Sequence, residues 1–294
     1  MLLLDAGGLF PQGGFGPVVS EMIYKIGIES MRAAGYDAMN LAASDLQNGV
    51  QVVTGANAQV RLPLVTTNIV HKNTRIPLES PYRVLDVNGI TVGLLSISAQ
   101  DALVKLPSSG LFDLLEVIPP AEALNHYLPM VRKNAQVVIL LSSAGLDETK
   151  TILREVKGID LALVSGNSHT ESHSCAELQE LQANGQELPA NLNVLAVTEK
   201  GQALGHVTLE IHPTQPARTI GVEYIPMDSS VPLDPNIVQM TGKDVYKDAV
   251  TALRAQVEES RKQMEQEIQK SLQLTPEEYF MKMQQDQNKS GAKQ

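Results

Sequence analysis

Two aspartates and three potential metal ligands are the side chains of this sequence whose types and spacing suggest chemistry. Asp5 and Asp45 each come shortly after an apolar run, and two carboxyl groups brought together can divide general acid and general base roles. His169, His173 and Cys175 fall within one polar segment, and imidazole and thiolate are ligands that zinc prefers. His-x₃-His places both imidazoles on one face only if the segment is helical, and no fourth ligand is evident.

These side chains also have structural explanations. A carboxylate at the end of a strand or in the first turn of a helix commonly accepts backbone N–H groups, and histidines in a polar loop are commonly solvated. Ser44 with Gln47 has the pattern of a capping box, so we interpret Ser44 as a helix N-cap rather than as a nucleophile. From these residues alone, no catalytic residue is expected.

A glycine-rich loop, Gly7–Gly16, lies between the first apolar run and a stretch with helical periodicity. This is the position in which backbone N–H groups can cradle a phosphate. The loop has neither Gly-Lys-Ser/Thr nor the G-x-G-x-x-G spacing, so it does not predict a nucleotide site.

Composition limits the classes of function. The chain has 294 residues, 43% of them hydrophobic, which is enough for a large folded core. Its net charge is −10, whereas nucleic-acid-binding domains carry a basic surface, so nucleic acid is not an expected partner. The single cysteine, Cys175, excludes an internal disulfide. No apolar run reaches the roughly 18 residues of a transmembrane helix, and Met1–Leu4 is too short for a signal peptide.

Short β-rich runs alternate with helical runs as far as about residue 170, which predicts an α/β fold with parallel strands buried on both faces. Asn88-Gly89 between two β-type runs predicts a tight hairpin. The predicted strands of this part are Leu2–Asp5, Asp37–Leu41, Leu64–Ile69, Tyr82–Val87, Ile90–Ile97, Val137–Leu141 and Asp160–Val164, and the predicted helices begin at Pro17, Ser44, Pro119 and Glu148. The later runs Asn193–Thr198, His206–Ile211 and Thr219–Ile225 predict an antiparallel second sheet.

The last part of the chain has a different character. We predict one domain over residues 1–233 and a helical arm with a polar tail over residues 234–294. Within the arm, the positions that suggest part of an a/d seam are Val250, Leu253, Val257 and Met264, with Ser260 interrupting it. The arm either packs on its own domain or is a helix for self-association or for a partner.

Several segments match motifs of one known family. The strand Asp160–Val164 runs into a Gly166 turn and then into polar residues, the arrangement in which calcineurin-like metallophosphoesterases present Gly-His-x-His to two metals. The family's Gly-Tyr-Asp-Ala and Gly-Ile-Asp-Leu recur at residues 35–38 and 158–161. Over about residues 1–235 the chain therefore resembles the metallophosphoesterase domain of the 5′-nucleotidase family.

The resemblance also shows which positions differ. Where the family has its metal ligands, this chain has Gly8 for a bridging aspartate, Ala43 for an asparagine, Ser143 for a histidine and Asn167 for another histidine. Ser44 stands where the family has the histidine that stabilises the transition state, with Asp45 beside it, and His169 is the remaining histidine of the last motif. The family's first motif, Asp-x-His on its first strand, has no counterpart.

The resemblance implies a metallophosphoesterase-like βαβ sandwich of two sheets flanked by helices, followed by the helical extension. It implies a catalytically degenerate protein with a binding, scaffolding or assembly role and no cofactor. The alternative is an active, metal-dependent phosphoester hydrolase with a remodelled site, and a third interpretation is a small-molecule or anion binder. That binder would use the vestigial cleft, namely the Gly8 amides, Ser44, Ser143, Asn167 and His169.

Two further expectations follow from the resemblance. The first is a periplasmic or extracellular location. The second concerns the sheet, because the family's first strand lies beside the strand matched by Leu2–Asp5. Without it, backbone groups would be left unpaired at an apolar edge. We expect another polypeptide, a rearranged strand of this chain or residues upstream of Met1 to fill that edge.

Overall fold

In a computed structural model, the chain is described over residues 1–10, 17–47, 50–104, 114–165, 193–197, 201–212, 215–241 and 243–272. It divides into two compact units, Met1–Gly242 and Lys243–Gln294. Asn167, His169, His173 and Cys175 lie outside the described residues, as do most of the glycine-rich loop and the segment after residue 272.

The chain has twelve described strands and six described helices. The strands are β1 Leu4–Asp5, β2 Ala38–Asn40, β3 Leu64–Val65, β4 Ile69–His71, β5 Tyr82–Val87, β6 Ile90–Ser98, β7 Leu115–Val117, β8 Val137–Ser143, β9 Leu161–Ser165, β10 Asn193–Val197, β11 Ala203–His212 and β12 Gln215–Pro226. The helices are α1 Pro17–Ala34, α2 Val50–Val60, α3 Pro120–Arg132, α4 Leu146–Glu155, α5 Pro235–Thr241 and α6 Lys243–Leu272, with a 3₁₀ turn at Ala43–Leu46.

The first sheet consists of β1, β2 and β3, in that order and all parallel. The backbone N–H of Leu3 donates to Asp37 Oδ2 at 2.8 Å, which fixes the start of β1 beside β2. Between them, α1 ends as the sequence predicts, because Gly35 follows it with φ of +79°. On its other side β1 pairs with no strand among the described residues, so it is an edge of this sheet.

The second sheet has the order β10-β9-β8-β6-β5. Its strands are parallel except β5, which pairs antiparallel with β6 through the predicted hairpin. Asn88 and Gly89 both have positive φ, 55° and 86°, as a tight hairpin turn of this type requires.

The position of β10 corrects a prediction. Asn193–Thr198 was expected in an antiparallel second sheet, but Asn193–Val197 pairs parallel with Leu161–Ser165 at the edge of the five-stranded sheet. A short apolar run suits either environment, and its neighbour along the chain does not reveal its neighbour in space. Of the three runs expected in that sheet, the other two form β11 and β12, which pair antiparallel with each other.

Two smaller corrections concern local structure. The predicted strand Leu64–Ile69 is two strands, β3 and β4, separated by the buried polar residues Thr66, Thr67 and Asn68. The second of them pairs with β7, which the sequence pattern did not indicate.

The two main sheets face each other and carry helices on their outer faces. One buried cluster joins the first sheet to α1 and α2, for example Met39 with Tyr24 and Val53. Another joins the second sheet to α3 and α4, and a third joins the two sheets, with Val65 and Leu141 among its members. The predicted sandwich of two sheets flanked by helices is therefore confirmed.

The second unit is described over α6, a helix of 30 residues. Val257 and Met264, two of the predicted seam positions, have 60% and 63% of their surfaces exposed. None of the described helices is long and apolar enough to cross a membrane.

Candidate functional site

Several of the parallel strands in both sheets carry polar residues at their carboxyl ends. Asp5 ends β1 and Asn40 ends β2, while Ser98 and Ser143 end β6 and β8 of the other sheet. Asn40 joins the two sets, since its Nδ2 donates to the carbonyl of Ala6 at 2.8 Å and to that of Ile97 at 3.3 Å. This is the side of an α/β sheet where ligands usually bind.

Gly7 lets the chain after β1 pass directly over β2. Its φ is +101°, and a Cβ at this position would lie 2.9 Å from Asn40 Nδ2 and 3.0 Å from Ala42 Cβ. Any larger residue would therefore push the loop away from the strand. Gly8 differs, because a Cβ there would meet no atom within 4 Å, although its φ is +84°.

Asp45 holds this loop to the 3₁₀ turn. Its carboxylate accepts the N–H of Phe10 at 3.0 Å, that of Gly8 at 3.2 Å and that of Ala42 at 3.0 Å. The residue is fully buried, and the Tyr24 hydroxyl donates to its carbonyl at 2.6 Å. The carboxylate is therefore an acceptor for backbone amides on two segments, which is the structural role that its position in the sequence suggests.

Asp5 has a similar environment. Its Oδ1 accepts the N–H of Gly7 at 2.8 Å. The residue as a whole is partly buried, but its carboxyl group is enclosed, and this burial raises its pKa against the opposing effect of the Gly7 N–H. Burial also raises the pKa of the Tyr36 hydroxyl, with the negative charge of Asp5 adding to the effect.

The two carboxyl groups influence each other. Burial raises the pKa of Asp45 to about 7, while the N–H groups of Phe10, Gly8 and Ala42 oppose the change and the Asp5 charge adds to it. The two carboxyl groups are therefore electrostatically coupled. Both carboxyl groups, however, accept backbone hydrogen bonds, which is what holds the loop.

Asn68 and Ser98 form a second polar cluster, which sequence reasoning missed. The Asn68 amide donates to the carbonyls of Ser98 and Ile118 at 2.8 and 3.1 Å, and its Oδ1 accepts the Ser98 N–H at 2.9 Å. The Ser98 hydroxyl lies 3.0 Å from that of Ser143 and accepts the N–H of Ala43 at 3.2 Å. The available signal was that each polar residue ends or follows an apolar strand.

The position of Ser44 corrects another prediction. It was expected as the N-cap of a helix, but it lies inside the 3₁₀ turn Ala43–Leu46, and the N-cap position is Ala42. The helix that follows, α2, begins only at Val50. Asp45 provides the capping hydrogen bond, because it accepts the Ala42 N–H from three residues ahead.

The structure brings together the predicted site residues that it describes. Gly8 contacts Asp45 through its N–H, and Ala43 contacts Ser98, which in turn contacts Ser143. Ser143 also donates to the carbonyl of Ile97 at 3.2 Å. The anion-binding interpretation loses one donor, because the Gly8 amide is already bonded to a carboxylate.

The fold and parts of the sequence match known proteins. No family model matches the chain. A 5′-nucleotidase from Bos taurus is 28% identical over 262 residues, covering 81% of this chain and 42% of that protein. A snake venom 5′-nucleotidase from Crotalus adamanteus is 28% identical over 178 residues, covering 58% of this chain and 29% of that protein. The chain thus spans less than half the length of these relatives.

A solved structure agrees with these relatives. The calcineurin-like phosphoesterase YfkN from Bacillus subtilis superposes with a TM-score of 0.63 at 18% identity, covering 86% of this chain and 85% of that one. In sequence, this chain is similar to 5′-nucleotidases. Its fold is that of a calcineurin-like phosphoesterase, and the polar strand ends described above lie where this family was expected to carry its metal ligands.

At three of the positions that the resemblance matched to metal ligands, the residues present are poor ligands for two metals. Gly8 offers no side chain, Ala43 a buried methyl group, and Ser143 a neutral hydroxyl that already bonds to Ile97. Dinuclear phosphoesterase centres need several charged or imidazole ligands, one of them a bridge. In the part of the chain that the structure describes, no three His, Cys, Asp or Glu side chains are grouped so that they could hold a metal ion.

Proposed function

We propose that this protein, which is similar in sequence to 5′-nucleotidases, has lost the hydrolytic activity of its fold and serves as a binding, scaffolding or assembly protein. The proposal rests on one observation above all, the side chains at positions 8, 43 and 143. A loop glycine, a buried alanine and a bonded serine stand where the resemblance leads us to expect a carboxylate, an amide and an imidazole.

The surroundings of these positions support the proposal. Had the site been remodelled for another metal, new ligands would be needed near Asp5, the carboxylate that ends β1. Among the described residues, Asp5 accepts the N–H of Gly7 and is coupled by charge to Tyr36 and to the carboxyl of Asp45, which is engaged by three backbone amides. The scaffold is retained, since the glycine turn over β2 and the strand-end hydrogen bonds are intact.

Metal analysis combined with a hydrolysis assay tests the proposal. Purified full-length protein is exchanged against Mn²⁺, Zn²⁺ or Fe²⁺, desalted and analysed by elemental mass spectrometry. It is then assayed with AMP and with bis(p-nitrophenyl) phosphate in excess Mn²⁺. We expect less than one equivalent of metal per chain and no turnover above the buffer rate.

Asp5→Asn is the control for contaminating phosphatase. Two equivalents of bound metal, with turnover that Asp5→Asn abolishes, would establish the alternative of an active phosphoester hydrolase. Turnover that is unchanged in Asp5→Asn would come from a contaminant and would leave the proposal standing.

The assembly role has two proposed surfaces, the arm formed by α6 and the free edge of β1. Leu2 and Leu4 are partly buried against the cluster between the sheets, while no described strand pairs with the outer edge of β1. A strand of the chain itself therefore does not fill that edge among the described residues. A segment of another polypeptide is the occupant that we propose.

We also propose an extracytoplasmic location. The support is that one of the similar proteins is a 5′-nucleotidase of snake venom. A reporter that is active only outside the cytoplasm, fused after residue 272 of the full native gene product, tests this proposal. Activity of a cytoplasmic reporter alone would contradict it.

A further inference from the structure

We propose that the polar residues at the carboxyl ends of the strands form an inter-sheet joint, which locks the two main sheets together and closes the cleft between them to phosphate-type ligands. The joint comprises side chains of both sheets and of the segment after β3, namely Asn40, Thr67, Asn68, Ser96, Ser98 and Ser143. This inference rests on the proposed function and deepens it, because it places the binding or assembly role on surfaces other than this cleft.

The joint begins where β6 extends beyond its neighbour β5. The antiparallel register of the two strands starts with Tyr82 opposite Leu95, whereas β6 continues to Ser98. Backbone groups two residues apart in a strand lie on the same edge. On the edge of β6 opposite β8, the backbone groups of Ser96 and Ser98 therefore have no residue of β5 beside them.

Two side chains of the segment after β3 take the place of β5 at this edge. Thr67 Oγ1 accepts the Ser96 N–H at 2.8 Å. Asn68 Oδ1 accepts the Ser98 N–H at 2.9 Å, and its Nδ2 donates to the Ser98 carbonyl at 2.8 Å. One acceptor and one donor are also what a residue of an adjacent strand would offer. The Asn68 amide therefore continues the hydrogen bonding of the second sheet from a segment that follows the first sheet.

Further hydrogen bonds connect β6 directly to the first sheet. The Ser96 hydroxyl donates to the carbonyl of the last residue of β3 at 2.7 Å. Asn40, in β2, donates to the carbonyl of Ile97 at 3.3 Å, and the N–H of Ala43 donates to the Ser98 hydroxyl at 3.2 Å. Asn40, Ser96 and Ser98 each have 3% or less of their surface exposed. Breaking one of these bonds would leave buried polar groups without a partner, so the bonds hold the two sheets together.

The side chains of the joint use their hydrogens inside the protein. A side-chain amide has two N–H groups, and a hydroxyl has one O–H group. Both N–H groups of Asn40 and both of Asn68 donate to backbone carbonyls. The hydroxyls of Ser96 and Thr67 also donate to backbone carbonyls, at 2.7 and 2.6 Å. These four side chains are therefore saturated as donors.

The hydroxyls of Ser98 and Ser143 are engaged in the same way. Ser143 donates its single hydrogen to the carbonyl of Ile97 at 3.2 Å. The two hydroxyl oxygens lie 3.0 Å apart, so Ser98 donates to Ser143. A phosphate is bound through N–H and O–H donors, and the nearby Gly8 N–H is already bonded to Asp45. The side chains of the joint therefore offer no free donor to such an ion.

Hydrogen exchange of single backbone amides, measured by NMR on the full chain, tests the joint. Thr67→Val keeps the shape of the side chain but removes the acceptor of the Ser96 N–H. Exchange of the Ser96 amide should become about 10-fold faster or more, because the lost hydrogen bond leaves this buried group unsatisfied. Thr67→Ser keeps the hydroxyl and should retain the slow exchange of the natural protein.

The Val138 amide is the internal control for this measurement. It also donates to a side chain, Asp160 Oδ2 at 2.7 Å, but it lies near the opposite end of the second sheet, at the start of β8. Its exchange should be the same in Thr67→Val as in the natural protein. Equal acceleration of both amides would show that the joint opens only with the whole fold, and unchanged exchange of Ser96 would show that Thr67 does not hold this edge. Either result would overturn the inference.

Titration with inorganic phosphate and pyrophosphate, up to millimolar concentration, tests the closure of the cleft in the metal-free natural protein. We expect no saturable change in the amide signals of Gly8, Ala43 and Ser98, and a saturable change would overturn the closure. The metal and turnover assays on the same preparation test the loss of activity separately. Bound metal with turnover would contradict the proposed function, whereas pyrophosphate binding at these amides in a metal-free, inactive protein would contradict the closed joint alone.

Discussion

Asp45 provides the sharpest test of how the site region is held together. Its carboxyl is fully buried and joins the loop after β1 to the 3₁₀ turn through three backbone amides. Replacing it by asparagine keeps the shape of the side chain and removes its titration. The perturbation Asp45→Asn therefore isolates the coupling between this proton and folding.

The magnitude follows from the pKa of the carboxyl group. Burial raises the pKa of Asp45 from 3.8 to about 7 in the folded protein. Between these values the folded state holds a proton that the unfolded state releases, so the contribution of Asp45 is present below about pH 4 and is lost as the pH rises through about 7. The interval of about 3 pH units corresponds to about 4 kcal/mol, at about 1.4 kcal/mol for each.

Urea denaturation of both proteins at several values between about pH 4 and pH 8 measures this contribution. Asp45→Asn should be destabilising at the acidic end, since its amide nitrogen cannot accept the N–H groups bonded to the oxygen that it replaces; Oδ2 accepts those of Gly8 and Ala42, and Oδ1 that of Phe10. The stability advantage of the natural protein should then shrink by up to about 4 kcal/mol towards pH 8. The raised pKa of Asp5 affects both proteins in the same direction and largely cancels in the difference.

An opposite trend would refute this reasoning. If the advantage of the natural protein grew between about pH 4 and pH 8, the three amides would be stabilising the ionised form more than burial opposes it. The folded-state pKa of Asp45 would then lie below 3.8. A stability difference between the two proteins that does not change with pH would show that the Asp45 carboxyl has the same pKa in the folded and unfolded states.

Three further substitutions test packing and hydrogen bonding, each by its effect on the free energy of unfolding. Gly93→Ala should destabilise by about 1–3 kcal/mol because its Cβ would clash with Val131 Cγ1. Gly55→Ala, on an exposed turn of α2 with no atom within 4 Å of the added Cβ, should stabilise by about 0.5–1 kcal/mol. Asn68→Ala should lower the free energy of unfolding by about 2–4 kcal/mol, since it leaves the buried N–H and carbonyl of Ser98 without partners. A smaller loss than that of an exposed Asn→Ala change would show that water replaces the Asn68 amide. Equal effects of the two glycine substitutions would contradict the packing argument.

Local sequence determined the features that depend on neighbouring residues. Asn88-Gly89 specifies its hairpin because both residues accept positive φ, and Gly35 ends α1 for the same reason. Alternating apolar runs and helices specified the α/β class, since parallel strands must be buried on both faces. The residue types at positions 8, 43 and 143, on which the proposed loss of activity rests, are also evident in sequence, because a side chain that is missing from the chain cannot be supplied by folding.

Tertiary structure decided what depends on contacts distant along the chain. The placement of β10 beside β9, instead of in an antiparallel sheet, follows from long-range pairing that a short apolar run does not specify. The hydrogen bonds of Asn68 to residues 30 and 50 positions away have no local signature. Asp45 was visible as a candidate, but only the fold shows that its carboxyl is occupied by three amides, two of them from the loop after β1. Backbone conformation is set mainly by nearby residues, whereas the partners of a buried polar group are set by which strands the fold brings together.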